Sequence, residues 1–226
     1  MDLVWIWGEA FLRWLHVIAG IAWIGSSFYF VHLDLSLTRE GPLPDKANGE
    51  AWQVHGGGFY HMVKYLVAPP GLPSELTWFK WEAYATWISG FVLFAAIYYA
   101  GAELYLIDQG VRALSPWSAT LISIGGFILG WAVYDGLCRS PLGDSETVLA
   151  AVGFLFLLAL AYGFSLLFSG RGAFMQMGAI IGTIMAANVL MVIIPGQRQV
   201  VAALQAGKEP DPVHGKRGKQ RSVHNN

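Results

Sequence analysis

The run RWLHVIAGIAWIGSSFYFVHLDLSL (residues 13–37) is long enough to cross a bilayer, yet it carries His16, His32 and Asp34. A hydrocarbon core needs about 20 apolar residues to span. An ionisable group near the centre of such a run costs at least ~2.5 kcal/mol unless it is paired or faces a cavity. The run therefore points to chemistry as well as anchoring.

The rest of the chain agrees with a membrane setting. Of 226 residues, 55% are hydrophobic and 13% charged, and the mean hydropathy is +0.47. That composition excludes an ordinary soluble domain and predicts an all-α, polytopic transmembrane bundle. Ten Trp and nine Tyr suit two interfacial belts. With net charge −1, the chain gives no sign of a nucleic-acid partner. The single cysteine, Cys138, forms no internal disulfide, and no CxxCH haem-attachment motif occurs. The start lacks a basic n-region and reads as a retained helix.

Apolar runs predict about five spans, near residues 10–37, 82–106, 117–137, 147–168 and 172–194, with Pro195-Gly196 ending the last. Residues 1–195 form the expected membrane domain and 196–226 a basic tail. Gly126 and Gly130, and Gly178, Gly182 and Ala186, recur at four-residue spacing and predict close helix packing. Arg13, Arg112 and Arg171 fall on one side, and the other 11 of the 14 Lys and Arg on the opposite side. By the positive-inside bias the N-terminus is outside and the tail cytoplasmic.

The loop over 38–80 holds AWQVHGGGFYHMVKYLVAPPGLP (residues 51–73). Its stretch 59–67 reads as a short interfacial or re-entrant helix, with His61 and Lys64, and Tyr60 and Lys64, on one face. The triple glycine permits positive φ or close backbone approach. Threading the spans brings His32, Asp34, Glu82, Asp135, Arg139, Asn188, Gln197 and Arg198 to the side that holds Gln53, His55, His61 and Lys64. Plain alternatives stand beside this convergence. Asp135 and Arg139 suit a helix-end ion pair, and Asn188 suits interhelical glue.

His16 lies on the other side, one to two turns into the hydrocarbon. It is either a hydrogen-bonded packing residue or a ligand to haem or another metal. His32 is 16 residues further on, about 24 Å along a helix, so the two cannot share one iron. The tail begins as an amphipathic helix and turns basic at Lys216, Arg217, Lys219 and Arg221, a pattern expected at a lipid surface.

The strings RWLHVIAGIAWIGSSFYFVHLD, WQVHGGGFYHMVKYLVAP, LTWFKWEAYATWISG, YDGLCRSPLG, GRGAF, MAANVLMVIIPGQR and GKRGKQRSVHNN, in that order, resemble the N-terminal membrane domain of the cytochrome c-linked urate hydroxylases, the urate oxidase N-terminal family. The resemblance implies oxidation of urate to 5-hydroxyisourate, with electrons passed to a c-type haem. It also implies that the chain stops short, because family members continue past the His-Asn-Asn string into more helices and a cytochrome c domain. The first helix is also similar, over a short stretch, to membrane haem-b proteins such as copper-resistance permeases.

Urate is a planar, largely monoanionic purine dione. Its recognition calls for amides, a cation and an aromatic face. Gln53, Arg139, Asn188, Gln197 and Arg198 are substrate-binding candidates, with Trp52 and Trp81 as stacking faces. His55 and His61, beside Lys64, suit proton transfer near neutral pH. His16, and less so His32, are the candidate haem or metal ligands. Two other functions fit the same groups: a haem-b electron carrier or assembly subunit, and a purine transporter-like binding protein.

Overall fold

The computed structural model describes residues 3–65, 69 and 71–226. Helix α1 (Leu3–Leu35) leads into a hairpin of β1 (Ala47–His55) and β2 (Gly58–Tyr65). Then come α2 (Trp81–Phe94), a π turn (Ala95–Tyr99) and the one-turn α3 (Ala102–Tyr105). Next are α4 (Pro116–Arg139), α5 (Glu146–Ser165), α6 (Gly170–Ala187), a second π turn (Asn188–Ile193), α7 (Ile194–Gln205) and α8 (Pro212–His224). The fold is an all-α bundle with one small sheet. Short side chains write the helix starts: Ser115, Ser145, Ser169 and Asp211 each accept a backbone N–H of the following first turn.

Four of these rods are long and apolar enough to cross a membrane: Leu3–Leu35, Pro116–Arg139, Glu146–Ser165 and Gly170–Gln205. The run predicted at 82–106 is helical too, but the π turn and Gly101 divide it. A Cβ at Gly101 would lie 2.7 Å from the Ile97 carbonyl oxygen. Most of α1 is bare: Val17, Ile21 and Phe28 are 56%, 62% and 70% exposed. Such a face is stable only against lipid or another apolar surface. The core instead gathers around Phe94, Tyr98, Leu106, Phe164, Phe168 and Ile180.

Packing glycines behave as predicted on α4. A Cβ at Gly126 would meet Phe164 at 2.6 Å, and one at Gly130 would meet Ile180 at 2.5 Å. Beside them Ser123 donates to Gln176 Oε1 (2.6 Å) and Gln176 Nε2 donates back to the Ser123 carbonyl (2.9 Å). Both residues are fully buried. The α6 stripe differs. Gly178 and Gly182 have nothing within 4 Å of a notional Cβ, because α1 packs chiefly along α2 and leaves that face open.

Three further expectations are corrected. The interfacial helix at 59–67 is strand β2 as far as Tyr65; its last two residues lie outside the described ones. Gly56 (φ 59) and Gly57 (φ 80) occupy the two central positions of a tight turn, with His55 paired to Gly58. Positive φ at both positions is what a two-residue hairpin requires and what glycine supplies without strain. Pro195 does not stop the fifth span. The preceding π turn widens the coil where the proline ring would strike a carbonyl and leave it unbonded, so the helix runs on to Gln205. The rod of 36 residues is about 54 Å long, beyond the ~30 Å hydrocarbon core. The basic tail, finally, is not a loose surface segment. Its helix α8 packs on α7 and the second π turn, and Arg221 is 2% exposed.

Candidate functional site

Asp135, near the end of α4, organises one end of the bundle. It takes Arg139 Nε on Oδ2 (2.6 Å) and Arg221 Nη2 on Oδ1 (2.8 Å). Arg221 Nη1 reaches Asn188 Oδ1 (3.3 Å), and its guanidinium lies 4.9 Å from the Tyr134 ring centre. Asn188 Nδ2 donates both to Tyr134 Oη (3.0 Å) and to Asn225 Oδ1 (2.9 Å). Asn225 Nδ2 donates to the Met185 carbonyl (3.0 Å). The π turn that starts at Asn188 is the local device that lets this network close on α6.

Tyr134 Oη sits 2.8 Å from His224 Nδ1. Burial, and then the Arg221 charge, hold His224 below its ordinary value. An unprotonated Nδ1 accepts the Tyr134 proton while Tyr134 accepts from Asn188; a charged ring would instead point a donor at an oxygen that Asn188 already serves. A lowered folded-state value means stability is complete above the ordinary pKa of about 6.5 and is lost as pH falls through it. Melting temperature in detergent should therefore drop between pH 7.5 and 5. His224→Gln should flatten that dependence; an unchanged slope would remove His224 from the latch.

Asn225, the last member of this network, also lines a polar cavity of about 420 Å³. Trp23, Trp78, Glu82, Gln197, Asn225 and Asn226 are among its lining residues. Glu82, in the first turn of α2, has a buried Oε2 with no hydrogen-bond partner among the described residues. Such an orphaned acceptor costs free energy unless a ligand or water supplies a donor. At the rim, Asp34 is balanced by Lys64 Nζ at 2.6 Å.

The sequence-level candidates divide among these places. Asn188 and Arg139 join the Asp135 network, and Gln197 lines the cavity. Arg198 is exposed on α7. Gln53, His55, His61 and Lys64 lie on the hairpin, and none lines the polar cavity. In a strand, residues three apart face opposite sides. His61 accordingly pairs with Glu50 (2.7 Å) and stacks on Trp52 (4.2 Å between centres), while Lys64 turns to Asp34. Gln53 accepts from Tyr29 Oη (2.8 Å), and His55 is exposed beside the turn. Trp81 is exposed and carries Lys80 over its ring at 5.3 Å, outside the cavity.

His32 is exposed at the end of α1, its Nε2 3.5 Å from Ser36 Oγ. His16 meets α2, with Nδ1 3.1 Å from the Thr86 carbonyl and 3.3 Å from Ser89 Oγ. Gly90 makes room for that ring, since a Cβ there would lie 2.7 Å from His16 Cε1. Among the described residues no three His, Cys, Asp or Glu side chains gather as a metal-binding group.

A family described as urate oxidase N-terminal matches residues 2–226, nearly the whole chain. The chain belongs to the urate oxidase N-terminal family. Comparison with curated proteins and with solved structures gave no match. Membership ties the chain to urate, and the apolar rods tie it to a membrane. In this member, Arg221, Tyr134, His224 and Asn225 were not picked as site residues from the sequence. The signal available was the closing string RSVHNN, whose amides and imidazole are unusual in a solvated basic tail.

Proposed function

We propose that this chain is the membrane portion of a urate hydroxylase that oxidises urate to 5-hydroxyisourate. The observation that carries the reading is the family match together with the polar cavity. Trp23 and Trp78 offer aromatic faces to a flat ring, and urate N–H groups find the orphaned Glu82 Oε2. Urate oxygens find amide donors at Gln197 and Asn226 and hydroxyls at Ser26 and Ser27. The reaction adds water at the purine and releases two protons and two electrons. Glu82 receives a proton from a ring N–H. The electrons pass to a c-type cytochrome carried by another domain or protein, since this chain has no CxxCH motif. In a bacterial inner membrane, the charge bias puts the N-terminus outside and the hairpin and α8 in the cytoplasm.

Membranes containing the chain, supplied with an oxidised c-type cytochrome, should consume urate and reduce the cytochrome at two haems per urate. Urate loss without cytochrome reduction would sink the acceptor assignment. No loss, with the cytochrome shown to accept electrons from other donors in the same membranes, would count against the hydroxylase reading.

A further inference from the structure

A second cavity, of about 380 Å³, lies between α1, α2 and α6, with His16 among its lining residues. Its walls are largely apolar, and Trp87 and Phe91, stacked with centres 5.3 Å apart, form part of one of them. Gly178 and Gly182 leave the α6 wall low, with open space where side chains would stand. Two cations, Arg13 and Arg171, line the same cavity. An adjoining cavity of about 500 Å³ shares His16, Trp23, Thr86 and Gly182, so the imidazole stands between two spaces of cofactor size.

The ring is oriented as a ligand is. Nδ1 donates to the Thr86 carbonyl at 3.1 Å, which fixes the tautomer and leaves the lone pair on Nε2. Nε2 has no hydrogen bond to any described residue. Arg171 is held by Tyr98 Oη (3.1 Å from Nε) and lies 4.8 Å from the Tyr105 ring centre, which fixes its charge at the cavity mouth. Arg13 spends one nitrogen on Glu9 (3.1 Å) and keeps the others.

The lining suits a ligand that is largely apolar, anionic where it meets Arg13 and Arg171, and carries a Lewis acid that takes a neutral imidazole. An iron porphyrin has that chemistry. We propose that the cavity binds a b-type haem, with His16 Nε2 as axial ligand to the iron and Arg13 and Arg171 facing the propionates. The inference does not rest on the urate reading: the polar cavity shares Trp23 with this one and is otherwise walled by other residues of α1, α2, α7 and α8.

The test is titration of ferric haem into the purified full chain in detergent, read by the Soret band. One haem per chain with a shifted, narrowed Soret band is the expected result. His16→Ala should weaken binding at least tenfold and lose the shift, and added imidazole should restore the shift by filling the emptied position. Gly182→Leu fills open space rather than striking a neighbour, so it should fold and still block haem. A wild-type chain that leaves the Soret band of free haem unchanged overturns the proposal. A shift that survives His16→Ala without imidazole, or survives Gly182→Leu, also overturns it, because the haem is then elsewhere.

Discussion

Arg221→Ala should destabilise the chain by about 1–3 kcal/mol, because it strips the buried donor from Asp135, which keeps Arg139, and leaves the buried Asn188 Oδ1 without one. Arg221 is 2% exposed and serves two acceptors at once, Asp135 Oδ1 and Asn188 Oδ1. Lysine carries the charge but not the fork, so Arg221→Lys should recover little. Removing both charges, as Asp135→Asn with Arg221→Met, should recover most of the loss, because two neutral groups carry no ion-desolvation cost. Thermal melts in detergent decide it. If the single and double variants melt alike, within a degree of wild type, the ion pair does not hold α8 to the bundle.

Glu82→Gln should lower kcat for urate by ~10²-fold or more, the scale of a lost proton acceptor. KM should move little, because glutamine keeps the shape and one acceptor oxygen. Two alternatives on the hairpin, His55→Ala and His61→Ala, should stay within about threefold of wild type, as neither residue lines the cavity. Should His61→Ala abolish turnover while Glu82→Gln leaves it intact, the reaction takes place at the hairpin instead.

The membrane rods were legible because hydropathy over about 20 residues reports burial in lipid whatever the neighbours are. The hairpin was misread for a definite reason. His61 and Lys64 sit at a spacing that a helix puts on one face, while the glycines before them serve a turn equally well. Pro195 misled in the same way, since a π turn that relieves the ring leaves no mark in the residue types. Helix α8 was hidden most completely. Its composition is that of a solvated tail, and its partners Tyr134, Asp135 and Asn188 lie 90, 86 and 33 residues away along the chain. Of the substrate candidates, the cavity draws in Gln197 directly and Asn188 through Asn225, while Glu82 is marked only by an unmet hydrogen bond.

Equilibrium binding of urate to the purified chain tests the placement of urate in the polar cavity without any electron acceptor. One urate should bind per chain. Ser26→Trp, which fills the cavity from α1, should abolish binding, and Gly182→Leu, in the cavity that His16 lines, should leave it unchanged. Saturable binding that persists in Ser26→Trp, or no binding by a wild-type chain that melts cooperatively, would contradict that placement.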